Sequence, residues 1–188
     1  MLKIYIAGPD VFFKDALEIG NLKKEICSKY GFEGVYPLDL LPDDLFTDKY
    51  DLNSRAKLIK KACVKGIAES HILVANMTPF RGISMDVGTA CEIGLADMAD
   101  LAIYGYSLDE RHYIEKVMDA KLFSHKVDDV EYDINGSVIE NFSKIDNCMV
   151  TEACEEIFFK SNPFETHIEL FEKLIKHIAL IHNVGSND

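Results

Sequence analysis

Leu2-Lys-Ile-Tyr-Ile-Ala-Gly-Pro9 opens the pattern that decides the fold of this chain. Its first six residues predict a buried strand over residues 2–7, which Gly8-Pro9 ends at once. A similar apolar run, His71-Ile-Leu-Val-Ala-Asn76, predicts another strand, and nearly continuous apolar residues are typical of strands covered on both faces. These two segments therefore indicate the centre of a parallel sheet.

Helical and extended patterns alternate around these strands. We expect strands at 33–36 and 100–104, helices at 14–30, 53–69, 86–98, 147–160 and 165–183, an acidic loop at 38–52, and a long polar region at 106–146. The alternation predicts an α/β fold in which helices cover both faces of a parallel sheet. We interpret residues 1–188 as one domain whose C-terminal helix, at 165–183, is an addition.

The carboxyl ends of parallel strands meet at one edge of the sheet, which is where such folds bind ligands. Residues 7–13, residues 76–86 and the start of the helix at 86 should therefore lie close together. Asp10 belongs to the first of these segments and is a candidate for the mouth of the site.

The amino-acid composition disfavours some classes of binding partner. The net charge is −12, which argues against a nucleic-acid backbone or an anionic membrane, because both require clustered lysine and arginine. An uncharged nucleoside carries no such penalty. The five cysteines are odd in number, lack a C-x-x-C pair and are interpreted as reduced, structural thiols. Without a signal peptide or an apolar membrane span, we expect a cytoplasmic protein.

Glu92 is the first candidate for chemistry. It is the only charged residue between Val87 and Ala96, and its neighbours at helical spacing are small or apolar. A carboxylate that packs inward on such a stripe should have a raised pKa and room for a ligand beside it. The alternative is a surface glutamate on a helix whose other face is buried.

Asp86 and Tyr5 are the next candidates. Asp86 lies where the helix begins, so it is either an N-cap, a group that binds a hydroxyl, or both. Asp86 must precede the first turn if it is to share a site with Glu92, which is six residues away. Tyr5 is either a core ring or a hydroxyl that reaches a carboxylate near the end of its strand.

The sequence lacks the common motifs for nucleotide-phosphate binding and for metal binding. The chain has neither G-x-G-x-x-G nor a Walker phosphate loop, so dinucleotide and P-loop binding are not indicated. H-E-x-x-H and Cys/His clusters are also missing, the six histidines are scattered, and no metal is expected.

Three segments together resemble the nucleoside 2-deoxyribosyltransferase family: Lys3-Ile-Tyr-Ile-Ala-Gly-Pro9, Pro79-Phe-Arg-Gly82 and Asp86-Val-Gly-Thr-Ala-Cys-Glu-Ile-Gly94. Glu140-Asn-Phe142 and Asn147-Cys-Met149 are similar to a later segment of the same family. The resemblance covers roughly residues 1–160 and implies a flavodoxin-like, Rossmann-like doubly wound sheet of about five strands.

The resemblance also implies roles for individual residues. Glu92 would be the nucleophile, Asp86 would hold the sugar hydroxyls and Tyr5 would position Glu92. Asn147 and Met149 would come from a neighbouring subunit, so at least a homodimer is implied. No metal or organic cofactor is required. The further residues predicted to bind substrate are Gly8, Pro9, Asp10, Phe12, His71, Asn76, Pro79, Arg81, Gly82 and Gly88.

The resemblance is incomplete at the positions where the family carries acids that could protonate the departing base. Family members often carry aspartate where this chain has His71, and many have aspartate in place of Asn76. His71 is either a substitute acid, since its unperturbed pKa lies near neutrality, or a packing residue. The acidic loop is another source of a carboxylate for the base.

The predicted activity is transfer of 2-deoxyribose between nucleobases. The alternative within the superfamily is hydrolysis of 2'-deoxynucleosides or their 5'-monophosphates, although the turn Gly8-Pro-Asp-Val-Phe-Phe13 lacks the donors that a phosphate needs. A nucleotide-sensing module would not require both Glu92 and Asp86. A response-regulator receiver is disfavoured because Asn76 stands where its aspartate would end the third strand.

Overall fold

The computed structural model describes residues 1–184. Its main sheet has five parallel strands, which lie across the sheet in the order Glu33–Val35, Lys3–Ala7, Ile72–Asn76, Ala102–Ser107 and Glu156–Phe159. The strands are β1 (Lys3–Ala7), β2 (Glu33–Val35), β3 (Ile72–Asn76), β4 (Ala102–Ser107) and β7 (Glu156–Phe159). The helices are α1 (Ala16–Lys29), α2 (Leu52–Ala68), α3 (Val87–Met98), α4 (Tyr113–Asp119), α5 (Cys148–Thr151) and α6 (His167–Ile181). This strand order is the flavodoxin-like one and confirms the predicted doubly wound α/β class.

One face of the sheet packs against α1 and α6. Ile4 and Ile6 of β1 point to this face and share a core with Leu174 and Ile178 of α6 and with Ile26 of α1. In α6 the buried residues recur at helical spacing, as its apolar stripe predicted. The C-terminal helix is therefore part of the main core.

The other face packs against α2 and α3. Tyr5 and Ala7 alternate with the isoleucines of β1 and point to this side, where they meet Ile67 of α2 and Ile93 of α3. Because β1 and β3 are buried on both faces, the continuous apolar runs of the two strands are accounted for.

The polar region between β4 and α5 contains α4 and an antiparallel hairpin. The hairpin strands are β5 (Phe123–Val127) and β6 (Val130–Asp133), which form a separate two-stranded sheet. Ile139 closes a small apolar cluster beneath α4 with Ile114 and Val117.

The predicted helix at 147–160 is wrong. Only Cys148–Thr151 is helical, and Glu156–Phe159 pairs instead with β4 as the edge strand β7. Ile157, Phe158 and Phe159 are of the β-branched and aromatic types that suit strands, and they satisfy the free backbone groups of β4. The strand predicted at 100–104 is displaced to Ala102–Ser107.

Within residues 1–184, no helix combines the length and the apolar character that crossing a bilayer requires.

We predict that α6 contributes strongly to stability. Leu174→Ala should lower the free energy of unfolding by about 2–5 kcal/mol, because its fully buried side chain leaves a cavity in the core. Urea denaturation monitored by circular dichroism measures the change. The matched control is Leu180→Ala on the same helix, where the side chain is 71% exposed and the effect should stay within about 0.5 kcal/mol. Equal effects of the two substitutions would contradict a core role for α6.

Candidate active site

A cavity of about 430 Å³ lies at the carboxyl edge of the sheet, where β1 ends and α3 begins. This volume falls within the range of small-molecule sites. Its walls are mostly apolar, and two carboxylates, Asp86 and Glu92, face into it. The lining residues are Gly8, Val11, Phe12, Pro37, Leu38, Leu41, Phe46, Ile59, Cys63, Asp86, Gly88 and Glu92.

Glu92 is held by Tyr5 from the neighbouring strand. The Tyr5 hydroxyl donates a hydrogen bond of 2.6 Å to Glu92 Oε1. The tyrosine ring is fully buried beneath α2, and Gly66 permits this close approach, since a Cβ there would lie 3.0 Å from Tyr5 Cε2. Strand, helix and hydroxyl thus fix the direction of the Glu92 carboxylate.

The surroundings of Glu92 stabilise its neutral form more than water does. Burial raises the pKa of Glu92 to about 7, and the charge of Asp86 adds to this rise, while the hydrogen bond from Tyr5 and the Cys63 thiol oppose it. Burial and the Glu92 charge also raise the pKa of Tyr5 far above its ordinary value. Tyr5 therefore remains a neutral donor, and Glu92 titrates in the physiological range.

Asp86 caps α3 and faces the cavity. Asp86 Oδ2 accepts hydrogen bonds from the Thr89 amide at 3.0 Å and from the Thr89 hydroxyl at 3.1 Å. Gly88 leaves room for this arrangement, because a Cβ there would lie 2.9 Å from the same oxygen. The carboxylate thus lies before the first helical turn, which is the condition for sharing a site with Glu92.

An aromatic cluster forms the mouth beside the turn after β1. Phe12 stacks on Phe80 with ring centroids 5.6 Å apart. The Arg81 guanidinium lies 5.1 Å from the Phe12 ring centroid and 4.6 Å from that of Phe80. Pro79 and Gly82 belong to the same loop and, like Arg81, lie outside the described cavity lining. The loop at 77–86 therefore meets the cavity through Phe12.

Asp10 was predicted to lie at the mouth of the site, but its side chain does not face the cavity. It is buried on the far side of the turn, 2.8 Å from Lys23 Nζ, and Asn76 donates to it at 3.4 Å. Pro9 is buried in the same turn. The structure thus brings the carboxyl ends of β1 and β3 together. The side chains of Asp10 and Asn76 contact each other there and do not belong to the described cavity lining.

His71 is also remote from the described cavity lining. It immediately precedes β3, at the opposite end of the strand from the carboxyl edge, and its Nδ1 accepts a hydrogen bond of 3.2 Å from the Lys3 amide. In this geometry His71 acts on the backbone of β1 and does not reach a leaving base.

Asn147 and Met149 lie in a separate region of the chain. Asn147 caps α5 and donates to Glu140 Oε1 at 2.9 Å. Met149 is 78% exposed, and neither residue belongs to the described lining of this chain's cavity.

Two features of the site were missed from the sequence. Cys63 lines the cavity beside Glu92, and its thiol lowers the pKa of that carboxyl, although all five cysteines were interpreted as structural. The acidic loop supplies apolar walls, through Leu38, Leu41 and Phe46, and none of its carboxylates belongs to the described lining. The i, i+4 spacing of Ile59 and Cys63 on α2 was the available signal for one helical face turned to the site.

We predict that ionisation of Glu92 lowers the free energy of unfolding. Its pKa is raised from 4.5 to about 7, so the folded state binds more protons than the unfolded state between these values. The stability advantage of Glu92→Gln over the wild type should therefore be small below pH 4.5 and grow until the pH passes about 7. Urea unfolding across this pH range tests the prediction.

Glu18→Gln is the control, because Glu18 is exposed on α1. Its stability difference from the wild type should not vary with pH in this way. If the stability difference between Glu92→Gln and the wild type does not change with pH, Glu92 is not a buried titrating carboxyl.

Comparison with known proteins agrees with this architecture. A model of the nucleoside 2-deoxyribosyltransferase family matches residues 4–149. An uncharacterized protein of Schizosaccharomyces pombe is 32% identical over 120 residues, which are 61% of this chain and 54% of that relative. The chain thus spans about half the length of this curated relative.

Two solved structures show the same fold. A 2-desoxiribosyltransferase from Leishmania mexicana is 24% identical, with a TM-score of 0.63 over 94% of this chain and 99% of that one. A 2-deoxyribosyltransferase from Bacillus psychrosaccharolyticus is 18% identical, with a TM-score of 0.51 over 89% and 95% of the two chains. Because the family model covers most of the sequence, the chain belongs to the nucleoside 2-deoxyribosyltransferase family.

Proposed function

We propose that this protein moves 2-deoxyribose from one nucleobase to another, with Glu92 as the nucleophile. The observation that carries the proposal is the 2.6 Å hydrogen bond between Tyr5 and Glu92 inside an apolar cavity that also contains Asp86. Membership of the family supports the choice of reaction.

The reaction proceeds in two displacements. A Glu92 oxygen attacks the anomeric carbon, the glycosidic C–N bond breaks, and its electron pair leaves with the base, which takes up a proton from solvent. The nitrogen of a second base then attacks the same carbon from the opposite face. The bond to Glu92 breaks, the carboxylate is restored, and the incoming base loses its proton.

Each residue beside Glu92 has a separate part. Asp86 is already held by Thr89 and binds the sugar hydroxyls with its remaining lone pairs. Tyr5 donates to Glu92, and Tyr5 and the Cys63 thiol both lower the pKa of Glu92 against the effect of burial. The apolar side chains of the loop after β2 and of Phe12 hold the flat base.

The charge of the cavity favours a nucleoside over its 5'-monophosphate. Within the described residues, the cavity lining has two carboxylates and no lysine or arginine. A phosphate placed against this lining would be repelled by Asp86 and Glu92, and the Arg81 guanidinium at the mouth already lies over the Phe12 and Phe80 rings. Hydrolysis of the free nucleoside is the same chemistry with water as the acceptor, so the products distinguish the two reactions.

The proposal includes a homo-oligomer. Met149 is exposed beside Asn147, and Phe142 in the same region is 63% exposed, which suits a surface covered by a second copy. In this arrangement Asn147 and Met149 complete the neighbouring subunit's cavity. The protein then acts in cytoplasmic nucleoside salvage, without a metal or organic cofactor.

The activity is tested by incubating the protein with deoxyinosine or thymidine, with and without free adenine, and separating the products. We expect deoxyadenosine to form only when adenine is present. Free base without deoxyadenosine would establish hydrolysis instead. If no deoxynucleoside is turned over, the proposed function is wrong.

Glu92→Gln tests the mechanism. We expect the rate to fall by at least about 10³-fold, because the glutamine amide is a poor nucleophile. Mass spectrometry of the wild type quenched during turnover should show a protein heavier by one deoxyribosyl group, attached at Glu92. Glu18→Gln should retain full activity. Full activity of Glu92→Gln would contradict the mechanism.

Sharing of the site between subunits predicts complementation. The Asn147→Ala and Glu92→Gln variants should each be inactive or impaired. A dimer formed from one subunit of each variant, by refolding a mixture of the two, should contain one intact site, which combines Glu92 of one subunit with Asn147 of the other. The mixture should recover about a quarter of wild-type activity, because half the dimers are mixed and one of their two sites is complete. Activity equal to the mean of the two variants would show that each subunit supplies its own site.

A further inference from the structure

Lys23 lies completely buried behind the turn that forms one wall of the cavity. It is on α1, and its side chain has no exposed surface. Its ammonium donates to Asp10 Oδ2 at 2.8 Å and to the Tyr106 hydroxyl at 2.7 Å, and it lies 5.1 Å from the Phe171 ring centroid. A buried ammonium therefore joins α1, β4 and α6 at a single point.

Asp10 receives contacts from several elements at once. Besides Lys23, Asn76 at the end of β3 donates to it, and His167 Nδ1 at the start of α6 lies 3.2 Å from Asp10 Oδ1. Burial alone would raise the pKa of Asp10, but His167 and Lys23 hold it below its usual range. The carboxylate thus remains charged behind the turn.

The two sides of this turn have different surroundings. Asp10 points back into the network, whereas Gly8, Val11 and Phe12 line the cavity in front. The packing is tight, because a Cβ on Gly8 would lie 2.6 Å from Asp10 Oδ2 and 2.8 Å from Asn76 Cβ. A shift of Asp10 would therefore be transmitted to the cavity wall.

Stability is a weak explanation for this ion pair. Removing two charges from water costs about as much as their attraction returns, so apolar residues of similar volume would stabilise the fold equally well. A charged pair with several directional partners differs from apolar packing chiefly in defining one orientation.

We propose that Lys23 and Asp10 are positioning residues that set the Gly8–Phe12 wall of the cavity and connect it to the C-terminal helix α6. This inference rests on the proposed function only for its kinetic readout. The position of the turn is measured without substrate.

The test uses Lys23→Met and the charge-free double variant Asp10→Asn/Lys23→Met. The single substitution leaves a buried carboxylate without its ammonium, so it costs fold stability as well as positioning. The double variant removes both charges and should fold. The matched control is Lys29→Met, which removes a surface ion pair of 2.6 Å between α1 and Glu172 of α6.

Hydrogen–deuterium exchange of the segment 8–16 and steady-state kinetics are the readouts. In the double variant we expect faster exchange in this segment and a KM for the deoxynucleoside raised about fivefold or more, with a smaller change in kcat, because the wall contacts substrate while Glu92 is untouched. Lys29→Met should leave both quantities unchanged. A double variant with wild-type exchange and KM would overturn the proposal.

His167→Ala provides an independent variant if the others do not fold, because its side chain is 25% exposed and its loss is mild. It should also speed exchange in the segment 8–16, and unchanged exchange there would count against the link to α6. If the wild type turns over no deoxynucleoside, the proposed function fails, while the exchange data still decide the positioning role.

Discussion

The alternation of side chains along β1 is the constraint on which the rest of the structure depends. Ile4 and Ile6 must face α1 and α6, so Tyr5 and Ala7 must face α2 and α3. This places the Tyr5 hydroxyl under α3, at the level of Glu92. The strand ends at Ala7, so the residues that follow it, from Gly8 onward, enter the cavity wall. One strand thereby supplies core to both faces and positions the candidate nucleophile.

The site is a compromise between burial and charge. An apolar cavity raises the pKa of Glu92 to about 7 and makes its ionised form more reactive, but it also makes that form costly to the fold. The hydrogen bond from Tyr5 and the neighbouring Cys63 thiol reduce this cost without adding a positive charge. Asp86 is kept apart by its own bonds to Thr89, so the two carboxylates occupy one cavity in different environments.

The C-terminal helix connects the core to the site. The family match ends at residue 149, and α6 begins only at His167. Even so, α6 buries Leu174 and Ile178 against the sheet and reaches Asp10 through His167. An element outside the matched segment thus packs behind the cavity wall.

The sequence alone determined the α/β class and most elements, because period-2 and period-3.6 apolar patterns are local properties of the chain. It also indicated Glu92 and Asp86, since a charge in an apolar stripe and a cap before a helix can both be read locally. It failed at β7, because the edge of β4, distant in sequence, decides that Glu156–Phe159 is a strand.

The directions of side chains were decided only by the tertiary structure. Asp10 and Phe12 lie in one turn, yet Asp10 turns back to Lys23 while Phe12 faces the cavity. Cys63 meets Glu92 only because α2 and α3 pack side by side on the same face of the sheet. A buried charge takes the orientation in which its partners satisfy it, and those partners come from segments that the fold alone brings together.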